Sequence, residues 1–133
     1  MATIKSYTDL YQSKTLSKIL PLESADMFHF IHEVNTVGFG YKKDAEEFYS
    51  KTEFEYIPCW SLAALCHILP NTEHISTTLS RGGWKIEPLE YVDKWWCEYE
   101  DENDHTKDFS VSADNPIDAC YEMIIKLHEL KML

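Results

Sequence analysis

The stretch ADNPIDACYEMIIKLHELKML, residues 113–133, decides how the rest of the chain must be arranged. It opens with a helix-start signal. Asp114 or Asn115 can cap, and Pro116 suits the first helical position because its missing N–H would have no partner there anyway. Asp118 puts an acid in the first turn, where the macrodipole favours one. At 100° per residue, Asp118, Glu122, Lys126 and Glu129 fall within an arc of about 80°. The remaining surface carries Ile117, Cys120, Met123, Ile124, Ile125, Leu127, Leu130 and Met132, with His128 on that same apolar side. A helix lying on a half-exposed sheet needs a buried stripe of only about 100°. This one is therefore expected to lean on two neighbours, a sheet and either another helix or a second subunit.

The sheet is legible immediately upstream. KWWCEYE (94–100) and HTKDFSVSA (105–113) flank the polar turn DEND (101–104) and read as a hairpin. Strand alternation places Trp95, Cys97 and Tyr99 on one face and Trp96, Glu98 and Glu100 on the other, while Phe109, Val111 and Ala113 share a face. The acids point to water and the apolar side packs inward. Further upstream, ISTTLS (75–80) and WKIEPL (84–89) read as two strands joined by a turn at Arg81-Gly82-Gly83, and MFHFIHEV (27–34) as another strand. TDLYQSKTLSKIL (8–20) has helical spacing and stops at Pro21. In FEYIPCWSLAALCHILP (54–70), an extended approach through Tyr56 and Ile57 leads into an almost wholly apolar helix from Trp60 to Leu69, ended by Pro70. Gly38 and Gly40 mark a turn or loop, and KKDAEEFYS (42–50) reads as one or two turns of helix. The expected fold is α+β: an antiparallel sheet of about four to five strands packed with two or three helices, in its finer form an α/β/α sandwich, over a single domain 1–133.

Composition agrees and narrows the function. With 133 residues, 44% hydrophobic and 14% aromatic, the chain can fill one core. Its net charge is −11, and Arg81 is its single arginine. Between residues 87 and 108, nine acids face two lysines, a local charge of −7. Neutralising phosphates takes clustered Lys and Arg, so direct nucleic-acid binding is not expected. No stretch approaches the roughly 20 apolar residues of a membrane span, and MATIKSYTDLYQSK lacks the apolar centre of a secretory signal, which points to a cytoplasmic protein. Cys59, Cys66, Cys97 and Cys120 contain no CxxC pair and are expected as reduced thiols.

Reaction motifs are thin. His29 and His32 form an HxxH, but three residues apart on a strand they face opposite sides. Asp101, Asn103 and Asp104 lack the central glycine and closing glutamate of a calcium loop. Glu98 and Glu100, about 7 Å apart by strand rise, could serve as an acid and a base, but one solvated strand supplies no cleft. No phosphate-cradling glycine loop, GxSxG or HExxH is present. No catalytic residue, metal ligand or cofactor is therefore expected. Exposed Trp is enriched at binding hot spots. Trp84 and Trp96, with Glu98, Glu100, Asp101, Glu102 and Asp104, form the candidate partner-binding set. The alternative is a small ligand such as a signalling nucleotide, its phosphates met by Lys42, Lys43 and Arg81, or a small enzyme of unassigned class.

Three blocks carry a resemblance: QSKTLSKILPLESADM (12–27), YIPCWSLAALCHILP (56–70) and SADNPIDACYEMIIKLHELK (112–131). In consistent order they resemble a family of small proteins encoded by Bacteroides-type gut bacteria and their phages, including crAss-like phages. The closing strand-hairpin-Asn-Pro-helix element resembles, more weakly, the phage ABA sandwich domain, in which helices pack on both faces of a sheet. Residues 35 to 55 depart from the family's pattern. The family carries no established activity, so the resemblance implies a context only: a phage or mobile-element accessory protein acting in the host bacterial cytoplasm. The expected function is non-enzymatic binding of a host or phage protein, inhibiting host defence in one form. Its sharper variant is acidic mimicry of nucleic acid that occupies a basic nucleic-acid-binding protein. Homo-oligomerisation through the C-terminal helix is a further expectation.

Overall fold

The computed structural model describes residues 5–31, 35–39 and 55–133. They belong to two compact units, residues 6–65 and residues 66–133 together with 1–5.

In the first unit, α1 (Leu10–Leu16) is closed by a capping box: Gln12 N–H donates to Asp9 Oδ1 at 2.8 Å, and Asp9 N–H donates to Gln12 Oε1 at 3.1 Å. Its strands are β1 (Met27–Ile31), β2 (Asn35–Phe39) and β3 (Glu55–Cys59). They form an antiparallel sheet in the order β2-β1-β3. Gly38 is a strand residue here, not a turn, and stands opposite Phe28, whose ring would lie 2.6 Å from any added Cβ. Phe28 in turn stacks on Tyr56 of β3. The candidate helix 42–50 lies outside the described residues.

α2 (Leu62–Ile68) follows, shorter than the apolar run around it. The second unit is built from β4 (Ile75–Lys85), β5 (Glu90–Asp101), β6 (Phe109–Ala113) and α3 (Pro116–Glu129). The sheet is antiparallel in the order β4-β5-β6. The fold class is thus α+β, but among the described residues the strands divide into two sheets of three where one sheet of four to five was expected. The second correction concerns Arg81-Gly82-Gly83. These residues do not turn: β4 runs through them, the register slips between Arg81↔Trp95 and Gly83↔Val92, and the chain reverses at residues 86–89. Paired glycines serve a bulge as well as a turn, because Gly82 adopts a φ of 76° that other residues resist.

α3 packs on β5 and β6 and reaches β4. Asn115 caps it, accepting the Asp118 N–H at 2.9 Å and donating to Asp118 Oδ2 at 2.7 Å, with Pro116 in the first turn. Ile117, Ala119, Cys120, Met123, Ile124 and Leu127 are fully buried. His128 is exposed, so it belongs to the polar side and not to the apolar side read from the sequence.

Candidate functional site: the uncovered sheet face and hairpin arm

Alternation separates the two faces of β5 from Cys97 to Asp101. Cys97 and Tyr99 are buried, and Glu98 and Glu100 are exposed. On the outer face Trp96 stands between Ser80 and Ser112, and Glu98 between Thr78 and Ser110. Except for the half-buried Trp96, these side chains are exposed. The sheet therefore presents hydroxyls, carboxylates and one indole.

β6 pairs with β5 only from Trp95 to Tyr99. Beyond Trp95 the β4–β5 hairpin continues, among the described residues, as a two-stranded arm. Its end carries Trp84, Ile86, Leu89 and Tyr91, which are 68%, 85%, 77% and 53% exposed. Four large apolar side chains adjacent in one hairpin are a patch, unlike the scattered apolar residues of any surface.

Where arm and face meet, Ser80, Gly82, Gly83, Trp84, Val92, Trp96, Glu98 and Ser110 line a groove of about 270 Å³. Trp96 Nε1 is buried in its wall and, among the described residues, has no hydrogen-bond partner. An unmet buried donor costs about 1–3 kcal/mol, which marks this indole as unusual. A Cβ added at Gly83 would meet Trp96 Nε1 at 3.7 Å, an ordinary contact.

Thus the structure brings Trp84, Trp96 and Glu98 together and places the other sequence candidates elsewhere. Glu100 and Glu102 line a second concavity of about 280 Å³ with His74 and His105. There His74 Nδ1 lies 3.6 Å from Glu102 Oε2. His105 Nδ1 lies 2.9 Å from Asp108 Oδ2, and this hydrogen bond raises the imidazole's pKa. Asp101 is buried, its carboxylate accepting the Asn103 N–H at 2.9 Å. Asp104 caps the short 3-10 turn His105–Lys107 through the Thr106 N–H. Arg81 is engaged by Asp93, its Nε and Nη2 donating to the two carboxylate oxygens at 3.1 and 3.3 Å. That hydrogen bond raises the guanidinium's pKa and lowers the carboxyl's. Lys42 and Lys43 lie outside the described residues. Sequence reasoning missed Gly83, Val92, Ser80 and Ser110. The bulge brings Val92 and Gly83 to the groove, and the only sequence signal for it was the Gly-Gly pair.

Three of the four thiols are buried, and Cys66 is exposed. Burial raises Cys59, whose Sγ donates to the Thr8 carbonyl oxygen at 3.4 Å. Cys97 and Cys120 are both fully buried and hydrogen-bond one another; that bond lowers Cys97 and, with burial and neighbouring Cys66, pushes Cys120 far up. His29 is consumed structurally, donating from Nε2 to the Thr8 carbonyl oxygen at 2.9 Å. No group of three or more His, Cys, Asp or Glu among the described residues is arranged to hold a metal. None of their helices is long and apolar enough to cross a membrane.

Compared with protein-family models, curated proteins and solved structures, the chain matches none.

Proposed function

We propose that this protein binds another protein, and that the β4–β5 arm makes the contact. The observation that carries this reading is the exposed cluster Trp84, Ile86, Leu89 and Tyr91 at the end of a hairpin whose other half is anchored by β6 and α3. A rigid base presenting aromatic and aliphatic side chains is the arrangement found at interface hot spots, where one side chain can contribute 2 kcal/mol or more. The exposed Glu87 and Glu90 beside it add negative charge that favours a basic partner and speeds its approach. In the setting the resemblance implies, the partner is a host or phage protein in the bacterial cytoplasm, and blocking a host defence component is one outcome of such binding. A partner laid across the outer sheet face would also supply the second layer of the sandwich expected from the resemblance.

The test is a photocrosslinking residue at position 86, with position 122 on the exposed side of α3 as control, followed by mass spectrometry from bacterial lysate. A discrete product from position 86 alone, lost when Leu89→Ser is added, is the expected result. Equal products from both positions, or none from position 86, would overturn the reading.

A further inference from the structure

We propose that the groove at the base of the arm, between Trp84, Trp96 and Glu98, receives an arginine side chain. The inference rests on the reading above for the source of that arginine, a protein partner, but concerns a different surface from the arm's apolar end.

Charge selects the class of ligand. Among the described residues Glu98 supplies the only formal charge in the groove's lining and has no ion pair, and Glu100 follows two residues along on the same face. The one arginine of the chain is clamped by Asp93 and does not fill the groove. A phosphate-bearing ligand would meet this field with like charge, which disfavours the nucleotide alternative.

Shape and chemistry select arginine within that class. Trp84 and Trp96 both line the groove, and an indole face attracts cations, guanidinium above ammonium because it is planar and weakly hydrated. Glu98 stands roughly 7 Å from Trp96 by strand rise, within the reach of a guanidinium that stacks on the ring while its N–H groups fork onto the carboxylate. At about 270 Å³ the space suits one long side chain and falls below the roughly 300–1,000 Å³ of sites that enclose larger molecules. The Trp96 Nε1–H, buried in the groove's wall and unpartnered among the described residues, lies close enough to report on an occupant stacked against the ring. Gly83 leaves the groove free of a side chain beside it.

The experiment uses the full chain labelled with ¹⁵N. Its four indole N–H signals are observed, that of Trp96 being identified by its loss in Trp96→Phe. N-acetyl-arginine amide is titrated beside N-acetyl-citrulline amide, which keeps the shape without the charge, N-acetyl-lysine amide and a neutral disaccharide. A saturable shift of the Trp96 signal is expected with the arginine compound. It should be weaker by roughly tenfold with citrulline and in Glu98→Gln, and weaker with lysine. Gly83→Ala, whose new methyl meets only Nε1 at an ordinary contact distance, should weaken binding with the fold intact. No saturable shift, equal shifts with arginine and citrulline, or a shift with the disaccharide alone would overturn the proposal. A crosslinked partner at position 86 with a silent groove removes this inference and leaves the protein-binding function standing. Arginine binding without any crosslinked partner does the reverse.

Discussion

Trp84 on β4 stands directly across from Tyr91 on β5, their ring centroids 5.6 Å apart and their planes at 69°. This edge-to-face pair lies just past the point where the ladder slips. The slip is set by Gly82, whose φ of 76° bends the strand so that the Tyr91 hydroxyl lies where a Gly82 side chain would be. Arm and groove thus share one backbone irregularity.

The two neighbouring glycines are consequently not equivalent. Gly82→Ala should destabilise the protein by about 1–3 kcal/mol through the left-handed backbone it must adopt. The clash with the tip of exposed Tyr91 can be relieved by a rotation, so Tyr91→Phe should not restore the loss. Gly83→Ala, which meets only an ordinary contact, should stay within about 0.5 kcal/mol of the parent. Urea denaturation of the three variants checks this, and similar losses at both glycines would show that the bulge is not confined to Gly82.

The same glycines mark the limit of what the sequence could tell. Much of the local chemistry was readable: Asn115, Pro116 and Asp118 start α3 as expected, and the faces of β5 alternate from Cys97 to Asp101. What could not be read was continuity. Gly-Gly between two β-branched runs signals a turn as readily as a bulge, and only the pairing of Gly83 with Val92 distinguishes them. Likewise Gly38 reads as a loop in the sequence because the Phe28 ring that requires its small size comes from another strand. The groove inherited this difficulty. Trp84, Trp96 and Glu98 were visible as candidates, but their meeting depends on the slipped register.

Asn115 offers a direct measure of how far α3 holds the second unit together. It is buried, and it caps the helix while also binding the Asp118 side chain. Asn115→Ala should cost about 1–2 kcal/mol, the upper part of the range for a lost cap, and Asn115→Asp should recover much of it. Thermal unfolding followed by circular dichroism gives the comparison. A loss below about 0.3 kcal/mol would mean that Pro116 and the buried side chains fix the helix start without the cap.

The His105–Asp108 pair gives a signature in pH. Hydrogen bonding to Asp108 raises His105, while bonds from the Asp101 N–H and from His105 lower Asp108. The histidine's contribution is present below its unfolded pKa and is lost as pH rises through the elevated folded value. The aspartate's is present above its unfolded pKa and is lost as pH falls through the depressed one. Their attraction is therefore complete only between the two ranges, and it is small because both groups are open to water. In an NMR titration the His105 midpoint should lie above that of a model histidine and fall in Asp108→Asn; an unmoved midpoint would assign the shift to the surrounding acids instead.

Thiol accessibility separates the surface of α2 from the core beneath α3. Cys66 is exposed, whereas Cys59, Cys97 and Cys120 are fully buried. Burial keeps Cys59 protonated, and Cys120 holds its proton in the bond with Cys97. Since the thiolate is the reactive form, an aromatic disulfide reagent should titrate one thiol rapidly in the native state and all four in denaturant. Cys66→Ser should remove the fast phase and leave the slow ones. The slow phases then report opening of the folded units, and their rates should rise in Asn115→Ala at Cys97, in the sheet on which α3 packs, and at Cys120, on α3 itself, while the rate at Cys59 stays unchanged. Uniform acceleration of all three would show that the two units open together.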